Sequence, residues 1–138
     1  MHIVALGPGD EDRVVAAEHL FDGPADQEAT RSFLAGEGNH LLVAYVDGVA
    51  AGFVSGVETT HPDKGTELLV YELAVDEQYR RRGFARALVD ALKDIARRRG
   101  CYGMWVLTDA SNAAALAAYA SAGASREGSH EMLGWRFR

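Results

Sequence analysis

The spacing of apolar residues changes period several times along the chain, and each change predicts an element. His2 to Leu6 alternates as a short strand, and Asp10 stands ready to cap a helix in which Val14, Ala17 and Phe21 recur at helical spacing. A second short helix is predicted from about Ala25 to Leu34. His40 to Val46 and Val49 to Val57 are apolar runs, joined by Asp47-Gly48, a dipeptide that supplies the positive φ of a two-residue hairpin turn. The turn-forming stretch Thr60 to Thr66 leads into a third central strand, Glu67 to Val75. From Gly83 to Arg99, Phe84, Ala87, Leu88, Ala91, Leu92 and Ile95 make one stripe, with Arg86, Asp90, Lys93 and Asp94 on the other side, and Gly100 closes this main helix. Tyr102 to Leu107 reads as a strand and Asn112 to Ser121 as a helix ended by Gly123. Ser125 to Arg126 and Met132 to Phe137 lie in or beside the last strands. The predicted order, β-α-α-β-β-β-α-β-α-β-β, is an α/β arrangement of six or seven strands and four helices.

No repeat, low-complexity tract or linker interrupts this series, and 138 residues that are 48% hydrophobic make one domain with one core, spanning residues 1–138. No apolar run approaches the roughly 18 residues needed to cross a bilayer. The segment MHIVALGPGDEDR lacks a basic region followed by an apolar stretch, so a cytoplasmic protein with no membrane partner is expected. The lone Cys101 has no partner for a disulfide or a zinc site and reads as a small buried hydrophobe. His40, His61 and His130 are scattered, and no metal site is expected.

The net charge of −6 is distributed unevenly. Residues 1–79 hold 15 acids and 3 bases, residues 80–100 hold 2 acids and 8 bases, and residues 101–138 hold 3 of each. A short basic block beside an acidic half fits a polyanionic cofactor at one end and a cationic substrate at the other, although ordinary surface charge gives the same count. The arginine clusters at 80–82 and 97–99 sit in a chain whose acidic remainder repels phosphate, so no nucleic-acid partner is expected. Trp105 and Trp135 read as core or interface residues rather than stacking platforms for bases.

The basic block begins with Arg80-Arg81-Arg82-Gly83-Phe84-Ala85, between a strand and the N-terminus of the main helix. There several backbone N–H groups lack partners and the helix dipole favours negative charge. Glycine at 83 lets a phosphate approach the backbone, the small Ala85 leaves room, and the arginines, with Arg86 following, add charge-assisted bonds. A solvated helix cap has the same composition, so neighbouring residues must decide.

Arg80, Gly83 and Ala85 match the pyrophosphate-binding signature of the GNAT superfamily of N-acetyltransferases: Arg or Gln, two residues, Gly, one residue, then Gly or Ala. Tyr71-Glu72-Leu73-Ala74-Val75 resembles the strand whose backbone pairs with the pantetheine arm in that family. Asn112, Ala115, Tyr119 and Gly123 resemble its second block, Asn-x-x-Ala-x-x-x-Tyr-x-x-x-Gly. The resemblance implies a GNAT fold with a mixed central sheet, acetyl-CoA as acyl donor, and cofactor contacts from Leu73, Ala74, Val75, the Arg80–Arg86 turn, Asn112, Ala115 and Tyr119.

Acyl transfer from a thioester to an amine needs a neutral amine, a polarised carbonyl and a proton for the departing thiolate. A free N–H at Leu73 or Val75 is a candidate oxyanion donor. Tyr119 matches the family's general acid, with packing beside Leu116 as its other reading. Glu72 is the candidate general base, its pKa raised by partial desolvation, or else an exposed strand carboxylate. Asp109 is positioned to accept a substrate ammonium or simply to close a turn, and Asn112 to contact the cofactor or cap its helix. Within the superfamily the chain resembles most the short aminoglycoside 3-N-acetyltransferases, which have an acidic residue where Glu72 stands; Ser111-Asn112 departs from their acid-and-proline stretch. Acidic walls would attract a polycationic acceptor, and Glu58, Asp63 and Glu67 are expected to border its cleft, although a polyamine or a peptide amine would use the same walls. The apolar Trp135 to Phe137 end raises the expectation of a shared sheet in a homodimer.

Overall fold

The computed structural model describes all residues, Met1–Arg138. Its elements run β1 (His2–Leu6), α1 (Glu11–Ala16), a 3-10 turn (Glu18–Leu20), α2 (Gln27–Ala35), β2 (Asn39–Val46), β3 (Val49–His61) and β4 (Gly65–Val75). A second 3-10 turn (Glu77–Tyr79), α3 (Phe84–Arg98), β5 (Met104–Trp105) and α4 (Ala113–Ser121) complete them. The sheet has the order β1-β2-β3-β4-β5, antiparallel from β1 to β4 and parallel between β4 and β5, hence mixed. As anticipated, Asp47-Gly48 makes the tight turn between β2 and β3, both residues having positive φ, 50° and 79°.

Three expectations are corrected. The sheet has five strands rather than six or seven, because Ser125 to Arg126 and Met132 to Phe137 form none, and β5 is only Met104–Trp105. The first helix stops at Ala16, and the apolar spacing continues through a 3-10 turn to Phe21. The strand expected to end at Val57 continues to His61, since β3 and β4 stay paired up to His61 opposite Gly65.

Two clusters form the core on opposite faces of the sheet. On one face α3 contributes Phe84, Leu88, Leu92 and Ala96, against Leu42, Ala44, Val54, Leu68 and Val70. Leu88 and Leu92 are fully buried, each contributing about 1.5–3 kcal/mol through removal from water. The helix sits close because position 56 is glycine: a Cβ there would lie 2.7 Å from Leu68 Cδ2 and 3.1 Å from Leu92 Cδ2. On the other face, Val14 of α1 and Leu34 of α2 pack with Ala17, Leu41, Val43, Ala50 and Phe53. Phe21 meets Phe53 edge-on at 4.9 Å, which pins the segment after α1 to the sheet.

Candidate active site

A bulge in β4 decides which side chains face which layer. Ser55 pairs with Glu72 and Gly56 with Val70, so Tyr71 is an extra residue without a partner. Leu68 and Val70 point towards α3; after the bulge Leu73 and Val75 point there too, while Ala74 packs with the α1–α2 cluster. Glu72 therefore stands on the α1–α2 face, beside Ala74 and opposite Ser55. The Ser55 hydroxyl, the one buried polar side chain of the core, accepts the Glu72 N–H at 3.2 Å and fastens the bulge. Burial raises the Glu72 carboxyl above the ordinary carboxylate range, and the negative charge of Asp22 raises it further. Asp22 follows the 3-10 turn beyond α1 and carried no signal in the sequence; tertiary contacts of its neighbours, Phe21 with Phe53 and the His19 ring with the Ala50 carbonyl, fix this segment to the sheet.

The strand's far edge is open where Glu72 stands. β5 pairs with β4 only at Leu68–Met104 and Leu69–Trp105. Asp76 donates to Ala51 across to β3 at 2.8 Å, so by ladder alternation the backbone groups of Leu73 and Val75 face the other way, into the gap beyond β5. Arg80 Nε–H donates to the Val75 carbonyl at 3.0 Å, leaving the Leu73 N–H and C=O and the Val75 N–H for another partner.

The chain then enters the arginine turn. Arg81 and Gly83 both have positive φ, 63° and 82°, a sequence of left-handed residues that turns successive amides inward as an anion-binding nest. From Arg81 to Arg86 no backbone N–H has an acceptor within the chain; the first bond of the helix is Ala87 N–H to the Gly83 carbonyl at 3.0 Å. A Cβ at Gly83 would meet nothing within 4 Å, so the space over the turn is open. Of the side chains, Arg82 lies 5.8 Å from the Tyr79 ring centre, Tyr79 stacks on Phe84, and Arg86 pairs with Asp90 at 3.6 Å.

Tyr119 on α4 is half-buried against the α3 cluster, and burial raises its hydroxyl above the usual tyrosine range. Asn112 caps α4 by accepting the Ala115 N–H at 3.0 Å, the structural role open to it. Asp109 is exposed in the turn before α4, where its carbonyl accepts the Asn112 N–H at 2.9 Å.

Glu58 is placed differently from the expectation. It lies on the α3 face, opposite Glu72, where the His40 ring bonds it at 2.7 Å and the Arg99 guanidinium holds it at the C-terminal end of α3. Burial pushes its carboxyl up, but the bonds from Arg99 and His40 prevail and hold it below the usual range. Asp63 and Glu67 sit at the β3–β4 turn, the end of β4 remote from the arginine turn, Asp63 engaged with His61 and Lys64. The acidic wall beside Glu72 is Asp22 instead.

The chain is similar to known proteins in sequence and in fold. The Acetyltransferase (GNAT) family profile matches residues 12–124. The chain is 44% identical over 57 residues to [ribosomal protein bS18]-alanine N-acetyltransferase of Escherichia coli strain K12, covering 41% of this chain and 38% of that enzyme. It is 50% identical over 54 residues to L-2,4-diaminobutyric acid acetyltransferase of Streptomyces coelicolor, covering 38% of this chain and 31% of that one. The chain thus spans well under half the length of these curated relatives in the matched regions. In fold it is similar to an aminoglycoside acetyltransferase from an uncultured soil metagenomic sample, solved in complex with sisomicin. That TM-score is 0.91 at 18% identity, over 99% of this chain and 96% of that one. With the mixed sheet, the parted strands β4 and β5 and the amide-rich turn before α3 all in place, the chain belongs to the Acetyltransferase (GNAT) family.

Proposed function

We propose that the chain is an N-acetyltransferase that takes the acetyl group from acetyl-CoA and delivers it to a cationic amine. One observation carries the reading: the turn that follows β4 presents a run of partnerless amides, while Glu72, on the last part of β4, stands on the other face with the negative charge of Asp22 acting on it. Six consecutive free N–H groups, Arg81 to Arg86, together with the guanidinium groups of Arg80, Arg81 and Arg82, fit a diphosphate. The free groups of Leu73 and Val75 suit an amide-bearing arm laid along the gap, with Ala74, Phe84, Ala85 and Arg86 bordering it and Asn112 and Ala115 at the start of α4. The donor supplies an acetyl thioester; every other part of the reaction falls to the chain.

The acceptor arrives as an ammonium ion drawn by Glu72 and Asp22. Glu72, with its raised pKa, takes the ammonium proton directly or through water, and the freed nitrogen lone pair forms the C–N bond. A backbone N–H at Leu73 or Val75 stabilises the negative charge developing on the carbonyl oxygen. As the C–S bond breaks, the Tyr119 hydroxyl gives its proton to the sulfur; a hydroxyl raised by burial keeps that proton until a thiolate needs it. The second nitrogen proton then leaves the adduct and, directly or through water, restores the Tyr119 hydroxyl, so that amide and thiol result with Glu72 holding the first proton until solvent takes it. Asp109, exposed beyond β5, is a further contact for a second ammonium group on the acceptor.

Among acceptors we place an aminoglycoside first, with the 3-amine as the position. Its several ammonium groups suit the Glu72–Asp22 wall, and a protein of similar fold was solved with sisomicin bound. A peptide α-amine or small diamine is the second reading, favoured by the substrates named for the two relatives of similar sequence. Thiol release from acetyl-CoA, measured against aminoglycosides, polyamines and peptide amines with mass spectrometry of the products, tests all three levels. Turnover on an aminoglycoside with the acetyl group at the 3-amine is the expected result. Turnover only on other amines would remove the antibiotic reading and keep the chemistry. Tight acetyl-CoA binding without any turnover would make the chain an acyl-CoA sensor.

A further inference from the structure

The α1–α2 layer covers only part of its face of the sheet. Its apolar cluster takes in residues of β1, β2 and β3, but from β4 only Ala74 and from β5 none. The rest of that face, over β4 and β5, carries side chains that lie outside both core clusters. Tyr71 is one of them. It follows Val70, which points to α3, so its ring points to the opposite face. The bulge sets it beside Glu72 on that face, the two residues together standing opposite Ser55. The ring is 69% exposed and belongs to neither core cluster.

Its neighbours extend the apolar surface. Met104 and Val106 pack with the α3 cluster, so Trp105 and Leu107 alternate to the other face, where Trp105 is in register with Leu69, two residues before Tyr71. Leu69 and Trp105 are half-buried, and Leu107 is exposed. The strip therefore runs along β4 from Glu72 towards the end remote from the arginine turn. At its head is the Glu72 carboxyl, on which the charge of Asp22 acts; next comes an open aromatic ring, then Leu69, Trp105 and Leu107. An exposed apolar surface rimmed by charge marks a ligand groove, and here the charge complements a cation.

We propose that Tyr71 decides which amine is accepted: its ring is the platform for the saturated ring of an amino sugar or aminocyclitol, and it selects amines borne on such rings over open-chain amines. The inference rests on the acetyltransfer reading above and adds the shape of the acceptor to its charge. A saturated ring has a flat face of C–H groups, which leaves water against an aromatic face and meets its negative quadrupole with partly positive hydrogens. Amino groups on the rim stay at the edge of the stack, so one goes to Glu72 while another is drawn by Asp22. An open chain presents its methylene groups in many rotamers; laying it flat on the tyrosine buries less surface and costs the freedom of each C–C bond. Tyr71 touches only the body of the acceptor, alike in the bound state and the transition state, so its contribution falls on KM rather than kcat.

The test is steady-state acetylation of sisomicin, a ring-borne polyamine, and spermidine, an open-chain one, by the wild type, Tyr71→Ala and Tyr71→Phe. The wild type should have the higher kcat/KM with sisomicin. Tyr71→Ala should raise the sisomicin KM at least about tenfold, with a much smaller fall in kcat and an unchanged acetyl-CoA Kd. Tyr71→Phe should keep the wild-type KM, because the ring and not the hydroxyl makes the contact. KM does not depend on the fraction of enzyme folded, so lost stability does not imitate this pattern. A wild type that prefers spermidine or a peptide amine, an unchanged sisomicin KM in Tyr71→Ala, or a Tyr71→Phe as impaired as Tyr71→Ala would each overturn the platform and leave acetyltransfer standing. Turnover of no amine at all would overturn acetyltransfer itself and the platform with it.

Discussion

Replacing Gly83 by alanine separates the strain of the arginine turn from its proposed contact with a diphosphate. Gly83 has φ 82°, and a Cβ there meets no protein atom within 4 Å, so Gly83→Ala meets no clash inside the chain. It must still hold an alanine in the left-handed region, at a cost of about 1–2 kcal/mol. For a domain of this size that is a fall in Tm of roughly 3–8 °C. The added methyl group projects into the space over the amides of Arg81 to Arg86, where only a ligand would feel it. Displacing a diphosphate from one or two of those charge-assisted bonds, at about 1.5–3 kcal/mol each, weakens coenzyme A binding by at least about tenfold. Gly100 is a matched control. Its φ is 81°, a Cβ there also meets nothing within 4 Å, and it lies at the other end of the 15-residue α3, some ~22 Å away. Gly100→Ala should lower Tm by a similar amount and leave affinity unchanged. Calorimetric titration of both variants with coenzyme A, beside thermal melts, gives the comparison. Equal affinities in the two variants would refute the placement of the diphosphate on this turn.

Three further outcomes follow from the site and its surroundings. Tyr119→Phe should lower kcat about a hundredfold, within the range usual for a lost proton donor, while the Kd of acetyl-CoA stays as it is; undiminished turnover in a stopped-flow thiol assay would end the general-acid assignment. Asp22→Asn removes a charge that raises the Glu72 pKa, so the acid limb of the kcat/KM profile should move to lower pH, and Glu72→Gln should abolish that limb; a limb indifferent to Asp22 would show that the two acids are not coupled in catalysis. Glu58→Gln concerns stability alone. Because the folded-state pKa of Glu58 is depressed, its contribution is present above the ordinary value of 4.5 and is lost as pH falls through the folded-state value. With Arg99 partly exposed and screened, the variant should lose on the order of 1 kcal/mol near neutrality, and the difference from wild type should vanish in acid, as read by urea melts across pH. A difference that persists at low pH would point to lost packing instead.

Much of this protein is legible in its residues one at a time. The amphipathic stripe of α3, the Asp47-Gly48 hairpin and the helix α4 with Asn112 at its cap are local events, governed by periods of two and 3.6 and by the φ values that glycine permits, so spacing predicts them. The arginine turn belongs with them, since a helix N-terminus leaves amides free whatever surrounds it. Other features depend on pairing between distant strands. Strict alternation would put Leu68, Val70, Glu72 and Ala74 on one face; the bulge at Tyr71, fastened by the bond from Glu72 to Ser55 seventeen positions earlier, sends Glu72 to the α1–α2 layer and Leu73 and Val75 to the other. Glu58, in the acidic half of the sequence, belongs to His40 and Arg99 on the α3 face, while Asp22, a loop residue with no pattern around it, stands by Glu72. The C-terminal segment is a further case. Leu133 to Phe137 alternates as a strand would, but a strand needs an edge to bond to, and in the structure this segment pairs with none. Local periodicity determines what a segment is suited to be; which face it shows, and whether it finds a partner, are settled only by contacts between segments far apart in the chain.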